Sequence, residues 1–155
     1  MRLAATQEIA VPIHEAWDGV VDVERMEGAV RARDPGLRRI PNGSVGEGTR
    51  WESTVPVQGK PRRVVLELLR LDPPHEVRLR ATVDGIEMVS QLRFDAPAPD
   101  RTRLALDVQA RSTGLGGRML LGALGLARPR IERRLEERLA AAARRIEAGR
   151  RTEQS

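Results

Sequence analysis

The sequence predicts an α+β domain in which helices cover one face of a curved antiparallel sheet. Short segments with alternating apolar residues follow one another and are joined by short turns. Two short helical patterns lie between the first of these segments and the second. A longer helical region, Leu115–Ala148, follows the last strand, and we expect it to close over the sheet.

The length and composition limit the classes of protein to consider. The chain has 155 residues, which suits one domain that buries roughly 70% of its unfolded surface. The chain contains no cysteine, which excludes disulfides, thiolate metal sites and cysteine nucleophiles. No apolar run reaches the roughly 18 residues of a membrane span, and Met1–Glu8 is too polar for a secretory signal. We therefore expect a cytoplasmic protein.

The charge pattern argues against nucleic acid as a partner. The net charge is +5, and Lys60 is the one lysine among 27 basic residues. The 22 acidic residues are interleaved with the basic ones, and the aromatic residues are two Trp and one Phe. Nucleic-acid binding proteins usually combine a basic patch with stacking aromatic side chains, so we predict no nucleic-acid partner.

The first part of the chain reads as one strand and two short helices. Leu3–Val11 has apolar residues at alternate positions, and Pro12 ends this strand. Ile13–Val21 carries an apolar stripe at helical spacing, and Asp22–Val30 forms a second short helix. The sequence Asp34–Gly36 then breaks the helical pattern.

Six further strands form an antiparallel meander with one face in solvent. Asp84-Gly85 is a two-residue hairpin signal between two of them. The predicted strands are Leu37–Ile40, Thr49–Val57, Arg62–Leu71, Val77–Val83, Met88–Phe94 and Leu104–Ala110.

The C-terminal region reads as two helices. Proline does not fit inside an unstrained helix, so Pro129 should begin the long helix or kink it. Leu115–Leu126 is then a separate first segment, and a rigid clamp begins near Arg130. We expect the domain to cover 1–148 and 149–155 to be a flexible tail. One apolar stripe marks the clamp, at Ile131, Leu135, Leu139, Ala142 and Ile146.

Several local features together carry a resemblance to a known superfamily. They are Ile9–Pro12 followed by Glu15–Trp17, the glycine loop that ends in Gly46–Trp51, and Asp72–Pro74 before a strand. With this order of elements, the chain resembles the SRPBCC superfamily from about Leu3 to Ala148. That group includes START-like lipid carriers, birch-pollen-allergen-like proteins and polyketide cyclase/dehydrase proteins. The resemblance implies a helix-grip fold, in which a seven-stranded sheet wraps the long helix around an apolar cavity.

The resemblance also suggests which side chains line the cavity. Such pockets are mostly apolar with a few polar groups, and Ser90 would be one polar group. The alternative is that the same side chains pack against one another and leave no usable space. Trp17, on the first helix, is expected to be a core residue. The predicted ligand-binding residues are Trp51, Val55, Leu79, Ala81, Met88, Ser90, Leu92, Leu106, Val108, Met119, Leu120 and Leu124.

Glu67 is the one weak candidate for a catalytic group. It interrupts an apolar strand and shares a face with Arg63 and Val65. If that face is inward, Glu67 is an acid, a base or a polar anchor in the cavity. The alternative, which we favour, is an outward carboxylate paired with an arginine.

The glycine loop and the histidines carry weaker functional signals. A nucleotide-binding loop needs Gly-Lys-Ser/Thr at the start of a helix, whereas Gly48–Arg50 opens a strand. We therefore interpret Gly43–Thr49 as a strand connector. His14 and His75 are expected to be exposed, and no metal or cofactor is predicted.

Three functions remain open from the sequence. The first is a carrier or sensor that binds an apolar or amphipathic molecule. The second is a polyketide cyclase or dehydratase, for which the chain offers few positioned acid or base groups. The third is a protein-interaction module, resembling a toxin or a chaperone cofactor, that uses the arginines on the outer face of the sheet. Those arginines are Arg78, Arg80, Arg93 and Arg103.

The segment Leu115–Ala127 is apolar, rich in glycine and too short to span a bilayer. We interpret it as a lid or a membrane-touching segment, and the alternative is a loosely held helix over the cavity mouth. Because each glycine costs a helix about 1 kcal/mol, we hypothesise that this segment opens for ligand entry. We expect an apolar small molecule as the partner, no stable membrane insertion, and a monomer or weak homodimer.

Overall fold

The computed structural model describes residues 1–153, which form seven strands and four helices in the predicted order. The elements before and after the meander are of the predicted types. Several strands extend beyond the alternating segments from which they were predicted. The elements are β1 (Arg2–Ile9), α1 (Ile13–Val20), α2 (Val23–Arg31), β2 (Arg38–Ile40), β3 (Arg50–Val57), β4 (Lys60–Asp72), β5 (Glu76–Val83), β6 (Ile86–Ala98), β7 (Arg101–Ser112), α3 (Leu115–Leu126) and α4 (Arg128–Glu153).

The strands form one antiparallel sheet in the order β1-β7-β6-β5-β4-β3-β2. Each strand from β2 to β6 pairs with the next in sequence, and β1 joins the far side of β7. Asp84 and Gly85 both have positive φ angles, of 40° and 77°, as the predicted two-residue hairpin turn requires. The register shifts between Leu68 and Arg70, and such irregularities bend a strand.

The register assigns each strand residue to a face, because directly opposed residues on antiparallel strands share one. One row on the inner face, which packs against the helices, is Leu3, Val108, Ser90, Leu79 and Leu68 across five strands.

Two buried clusters fill the ends of the space between this face and the helices. In cluster 1, Trp17 on α1 is 7% exposed, and its ring centroid lies 5.0 Å from that of Phe94. This confirms the prediction that Trp17 is a core residue. The buried members of cluster 1 are Ile9, Val11, Ala16, Trp17, Leu68, Val77, Phe94, Leu104, Ala143 and Ile146. Cluster 2, at the other end, contains Val83, Ile86, Ala110 and Leu120.

Helix α1 is held closely against α4. A Cβ atom on Gly19 would lie 2.5 Å from Cγ1 of Ile146, so glycine permits this approach. Arg145 Nη2 also donates a hydrogen bond of 3.0 Å to the Gly19 carbonyl oxygen. Burial lowers the pKa of Arg145, and the nearby Arg25 charge lowers it further. These contacts fix the C-terminal half of α4 over the sheet.

The C-terminal region is divided at Ala127, and Pro129 lies in the first turn of α4, as predicted. The first residues of the predicted flexible tail are helical instead, because α4 continues through Gly149 to Glu153. Arg150 Nη1 bonds Glu15 Oε1 at 2.6 Å, which ties this last part of the helix to α1. The remaining two tail residues, 154–155, lie outside the described residues. Among the helices of 1–153, none has the length and apolar character needed to cross a bilayer.

Candidate ligand-binding groove

The middle of the inner face is apolar but incompletely covered. Phe94 and Ile86, in the two clusters, are each 1% exposed. Between them, Leu79, Leu92 and Leu106 also point inward but are only half-buried. We use the name inner strip for the half-buried inward residues Leu79, Ala81, Met88, Ser90, Leu92 and Leu106. Leu79 and Leu92 pack against cluster 1 and Met88 packs against cluster 2, so the inner strip is a partly accessible, mostly aliphatic surface between the two closed ends.

Helices lie opposite the inner strip, and we call the space between them the candidate groove. Helix α4 packs along β1, and α3 packs along β6 and β7. The α4 side chains Ile131 and Leu135 belong to the predicted apolar stripe and are half-buried, whereas Ile146 at the far end is 9% exposed. The stripe is therefore packed at its C-terminal end and partly accessible at its N-terminal end.

Four other predicted lining residues divide into a group that is packed in the core and one residue that is exposed to solvent. Leu120 is 7% exposed in cluster 2, Leu124 packs against that cluster, and Val108 is 9% exposed. Met119 is 80% exposed and so lies outside the groove. The reason is that α3 turns its Leu120 and Leu124 side to the sheet, and Met119 lies on another side of the helix.

Trp51 and Val55 lie on the inner face of β3 and are half-buried. The Trp51 side chain packs against cluster 1, and its Nε1 atom donates a 2.8 Å hydrogen bond to Glu27 Oε1. Trp51 therefore joins the inner face of the sheet to helix α2.

Glu67 lies on the outer face, opposite Arg80 on β5. Its Oε1 atom is 3.5 Å from Nη1 of Arg80, and its side chain is 32% exposed. This is the alternative favoured from the sequence, an outward carboxylate paired with an arginine. Glu67 therefore contributes no acid or base to the groove.

Glu27 is a polar site that the sequence analysis missed. It is 5% exposed, and its Oε1 atom accepts hydrogen bonds from Trp51 Nε1 and, at 2.6 Å, from Arg39 Nε. Its Oε2 atom lies 3.3 Å from Arg31 Nη1. Burial alone would raise the pKa of Glu27, but the bonds from Trp51 and Arg39 and the two positive charges lower it below its ordinary value.

Glu27 and Arg39 also line a surface pocket of about 660 Å³ between α2 and β2. The i,i+4 spacing of Glu27 and Arg31 is a readable signal for one ion pair. Arg39 and Trp51 come from other elements, so only the fold shows that they complete the site.

The glycine loop is a connector, as the sequence indicated. Gly48 N donates to the Leu68 carbonyl oxygen at 2.8 Å, and Gly46 N donates to Thr49 Oγ1 at 3.0 Å. These N–H groups are bonded within the protein, so they are not directed at an anion. His14 and His75 are both exposed, as expected. Within residues 1–153, no group of three or more His, Asp or Glu side chains is arranged to hold a metal ion.

A family model described as "Polyketide cyclase / dehydrase and lipid transport" matches residues 1–147, and the chain belongs to this family. The family lies within the superfamily that the sequence features resembled. A relative of Mycobacterium tuberculosis (strain ATCC 25618 / H37Rv), described as Toxin Rv0910, is 27% identical over 125 residues. That match covers 81% of this chain and 83% of the relative.

Solved structures confirm the helix-grip fold. The protein TTHA0849 of Thermus thermophilus has a TM-score of 0.67 at 19% identity, over 96% of this chain and 99% of its own. The Zhui aromatase/cyclase of Streptomyces sp. R1128 has a TM-score of 0.68 at 19% identity, over 95% and 93%. A Thalictrum flavum norcoclaurine synthase point mutant has a TM-score of 0.68 at 12% identity, over 97% and 96%. At these identities the likeness establishes a shared fold.

Proposed function

We propose that this protein binds an apolar or amphipathic small molecule, such as a lipid or a polyketide-like compound, against the inner strip. The observation that carries the proposal is the half-burial of Leu79, Leu92 and Leu106 between two fully packed clusters. A ligand that covers these side chains gains about 25 cal/mol for each Å² of apolar surface removed from water. The family description, which includes lipid transport, supports the same function.

Ser90 supplies a polar group to the groove, and Trp51 supplies an aromatic surface. Ser90 lies in the centre of the inner face, with Leu79 and Val108 opposite it on the neighbouring strands. Its hydroxyl is suited to orient a carbonyl or hydroxyl of a bound molecule, as the few polar groups of an apolar pocket do. Trp51 offers an aromatic surface, because its N–H already bonds Glu27.

Binding is better supported than acid–base catalysis. The inner strip consists of apolar side chains and Ser90, whereas Glu67 points to the opposite face. A cyclase or dehydratase needs an acid or base within reach of its substrate. The cyclase and synthase among the structural neighbours share the fold with this chain at 19% and 12% identity, and the catalytic function is therefore the weaker proposal.

A protein-interaction role is a second candidate, and the relative described as a toxin favours it. The arginines predicted for that role lie on the outer face, but several are paired. Arg78 Nη2 lies 2.8 Å from Glu76 Oε1, and Arg103 Nη2 lies 3.3 Å from Glu8 Oε1. An outer face with its charges matched in this way offers a partner less uncompensated charge than the sequence suggests.

A matched pair of substitutions tests the ligand proposal. Ala81 and Ala105 are both half-buried strand alanines, but Ala81 faces the groove and Ala105 faces outward. Native mass spectrometry of the protein from its own host should show a co-purified small molecule. Titration with an apolar fluorescent dye should show binding that is at least tenfold weaker in Ala81→Phe, because the ring fills the groove. Ala105→Phe should bind as the wild type does.

The proposal is overturned if the wild-type protein carries no small molecule and binds no dye. Equal weakening by the two substitutions also overturns it, since that result places the dye elsewhere. Thermal unfolding of both variants checks that each one is folded.

A further inference from the structure

Helix α3 is apolar on two opposite sides. One side packs on the sheet, where Gly117 and Leu120 are buried and Leu124 contacts cluster 2. On the other side, Leu115, Met119 and Leu126 are 78%, 80% and 88% exposed. Their spacings of four and seven residues place them on one side of the helix. We call these three residues the α3 outer face.

This exposure is concentrated on α3. Among the described residues 1–153, four large apolar side chains are exposed, and three of them form the α3 outer face. The fourth, Met26 on α2, is 47% exposed. Contiguous exposed apolar surface in a monomeric protein commonly marks a binding surface.

The charged residues within the chain segment around α3 are all arginines. Residues 108–131 include Arg111, Arg118, Arg128 and Arg130, and they include no Asp or Glu. Arg128 pairs with Glu132 at 2.8 Å and Arg111 with Glu87 at 3.1 Å. In the part of the chain that the structure describes, Arg118 and Arg130 are exposed and have no ion pair. The α3 outer face is therefore bordered by uncompensated positive charge.

We infer that the α3 outer face docks on an anionic lipid surface. A helix that presents apolar side chains beside arginines lies in the membrane interface, with its apolar side among the upper acyl chains. The arginines then contact lipid phosphates, for which the guanidinium group is well suited. Helix α3 has 12 residues and is about 18 Å long, so it rests on the surface and does not span the bilayer.

Charge also decides between a lipid surface and a second copy of the chain. A symmetric dimer through the α3 outer face brings Arg118 and Arg130 of each copy towards those of the other. Like charges oppose that contact, whereas anionic headgroups favour docking. The inference goes beyond ligand binding and rests on separate observations. Docking at α3 nevertheless gives a ligand a route between the membrane and the groove, because α3 covers cluster 2 beside the inner strip.

Vesicle flotation of the full chain without added ligand tests the inference. We expect binding to vesicles of phosphatidylglycerol and phosphatidylcholine, weaker binding at high salt, and little binding to phosphatidylcholine alone. The triple variant Leu115→Ser/Met119→Ser/Leu126→Ser should bind at least tenfold more weakly, with Met26→Ser as the control. All of these side chains are exposed, so the variants should keep the fold.

A second, charge-based comparison uses two variants with the same change in net charge. Arg118→Glu/Arg130→Glu should reduce vesicle binding at least tenfold. Arg93→Glu/Arg103→Glu, on the outer face of the sheet, should reduce it much less, because its charges lie away from α3.

Three outcomes overturn docking on lipid. The first is failure of the wild-type protein to bind the anionic vesicles. The second is an equal loss of vesicle binding in the α3 variants and their controls. The third is a concentration-dependent dimer that the triple variant abolishes while vesicle binding is unchanged. The last outcome assigns the α3 outer face to a second copy. Loss of dye binding in Ala81→Phe with normal flotation separates the two proposals.

Discussion

Glu27 shows how one buried carboxylate organises several elements. It accepts hydrogen bonds from Trp51 on β3 and Arg39 on β2, and it lies beside Arg31 on its own helix. Desolvation of a carboxylate is unfavourable, and charge-assisted hydrogen bonds offset it. Glu27 therefore holds α2 against the edge of the sheet and fixes the orientation of the Trp51 indole on the inner face of β3.

We expect Glu27→Gln to lower the free energy of unfolding by about 1–3 kcal/mol, because the amide keeps the shape but loses the charged partner of Arg39. Urea unfolding followed by Trp fluorescence measures this change. Glu24→Gln, an exposed change on the same helix, is the control and should have little effect. Equal stability of Glu27→Gln and the wild type would contradict this role.

At the scale of elements, helix α3 meets the turn between β5 and β6 at a glycine. A Cβ atom on Gly117 would lie 1.8 Å from the carbonyl oxygen of Gly85, in the turn between β5 and β6. Gly122, in the same helix, has no atom within 4 Å of such a Cβ. The two glycines therefore differ in packing, although both lie in the same helix.

Gly117→Ala should detach the start of α3 and speed amide hydrogen exchange across Leu115–Leu126. Gly122→Ala should slow exchange in the same helix, because alanine is favoured over glycine by about 1 kcal/mol.

In the wild type, α3 should exchange faster than residues 131–146 of α4, as a lid requires. Protection of α3 equal to that of α4 would contradict the lid hypothesis.

At the scale of the whole molecule, three carboxylates connect stability to pH. Burial raises the pKa of Glu27, but its hydrogen bonds and arginines lower it overall. The Thr54 backbone N–H, followed by the Ser53 hydroxyl, lowers the pKa of Asp34. A hydrogen bond from the Gln91 amide is the largest cause that lowers the pKa of Glu76.

Each of these groups has a folded-state pKa below its unfolded value, so each contributes stability above the unfolded value and loses it as the pH falls through the folded one. The ordinary values are 4.5 for the two Glu and 3.8 for Asp34. We expect a thermal midpoint that is steady above about pH 5 and falls below about pH 4. Glu27→Gln should flatten part of that fall, and an unchanged slope in this variant would contradict the contribution of Glu27.

The sequence by itself determined the order of the elements, because their signals are local. Alternation marked the strands, Asp84-Gly85 supplied the positive φ angles of a hairpin, and Pro129 marked the break before α4. The stripe of α4 and the position of Trp17 in the core were predicted for the same reason, since apolar periodicity reports which residues share a side.

Tertiary structure alone decided which side of each element lies against the core. Alternation places Glu67 with Arg63 and Val65, but only the β4–β5 register and the position of the helices show that this face is outward. Helix α3 is apolar on both sides, so periodicity does not separate buried Leu120 from exposed Met119. Glu27 gains its partners from three elements. The physical reason is that burial depends on what packs against a residue, which local sequence does not specify.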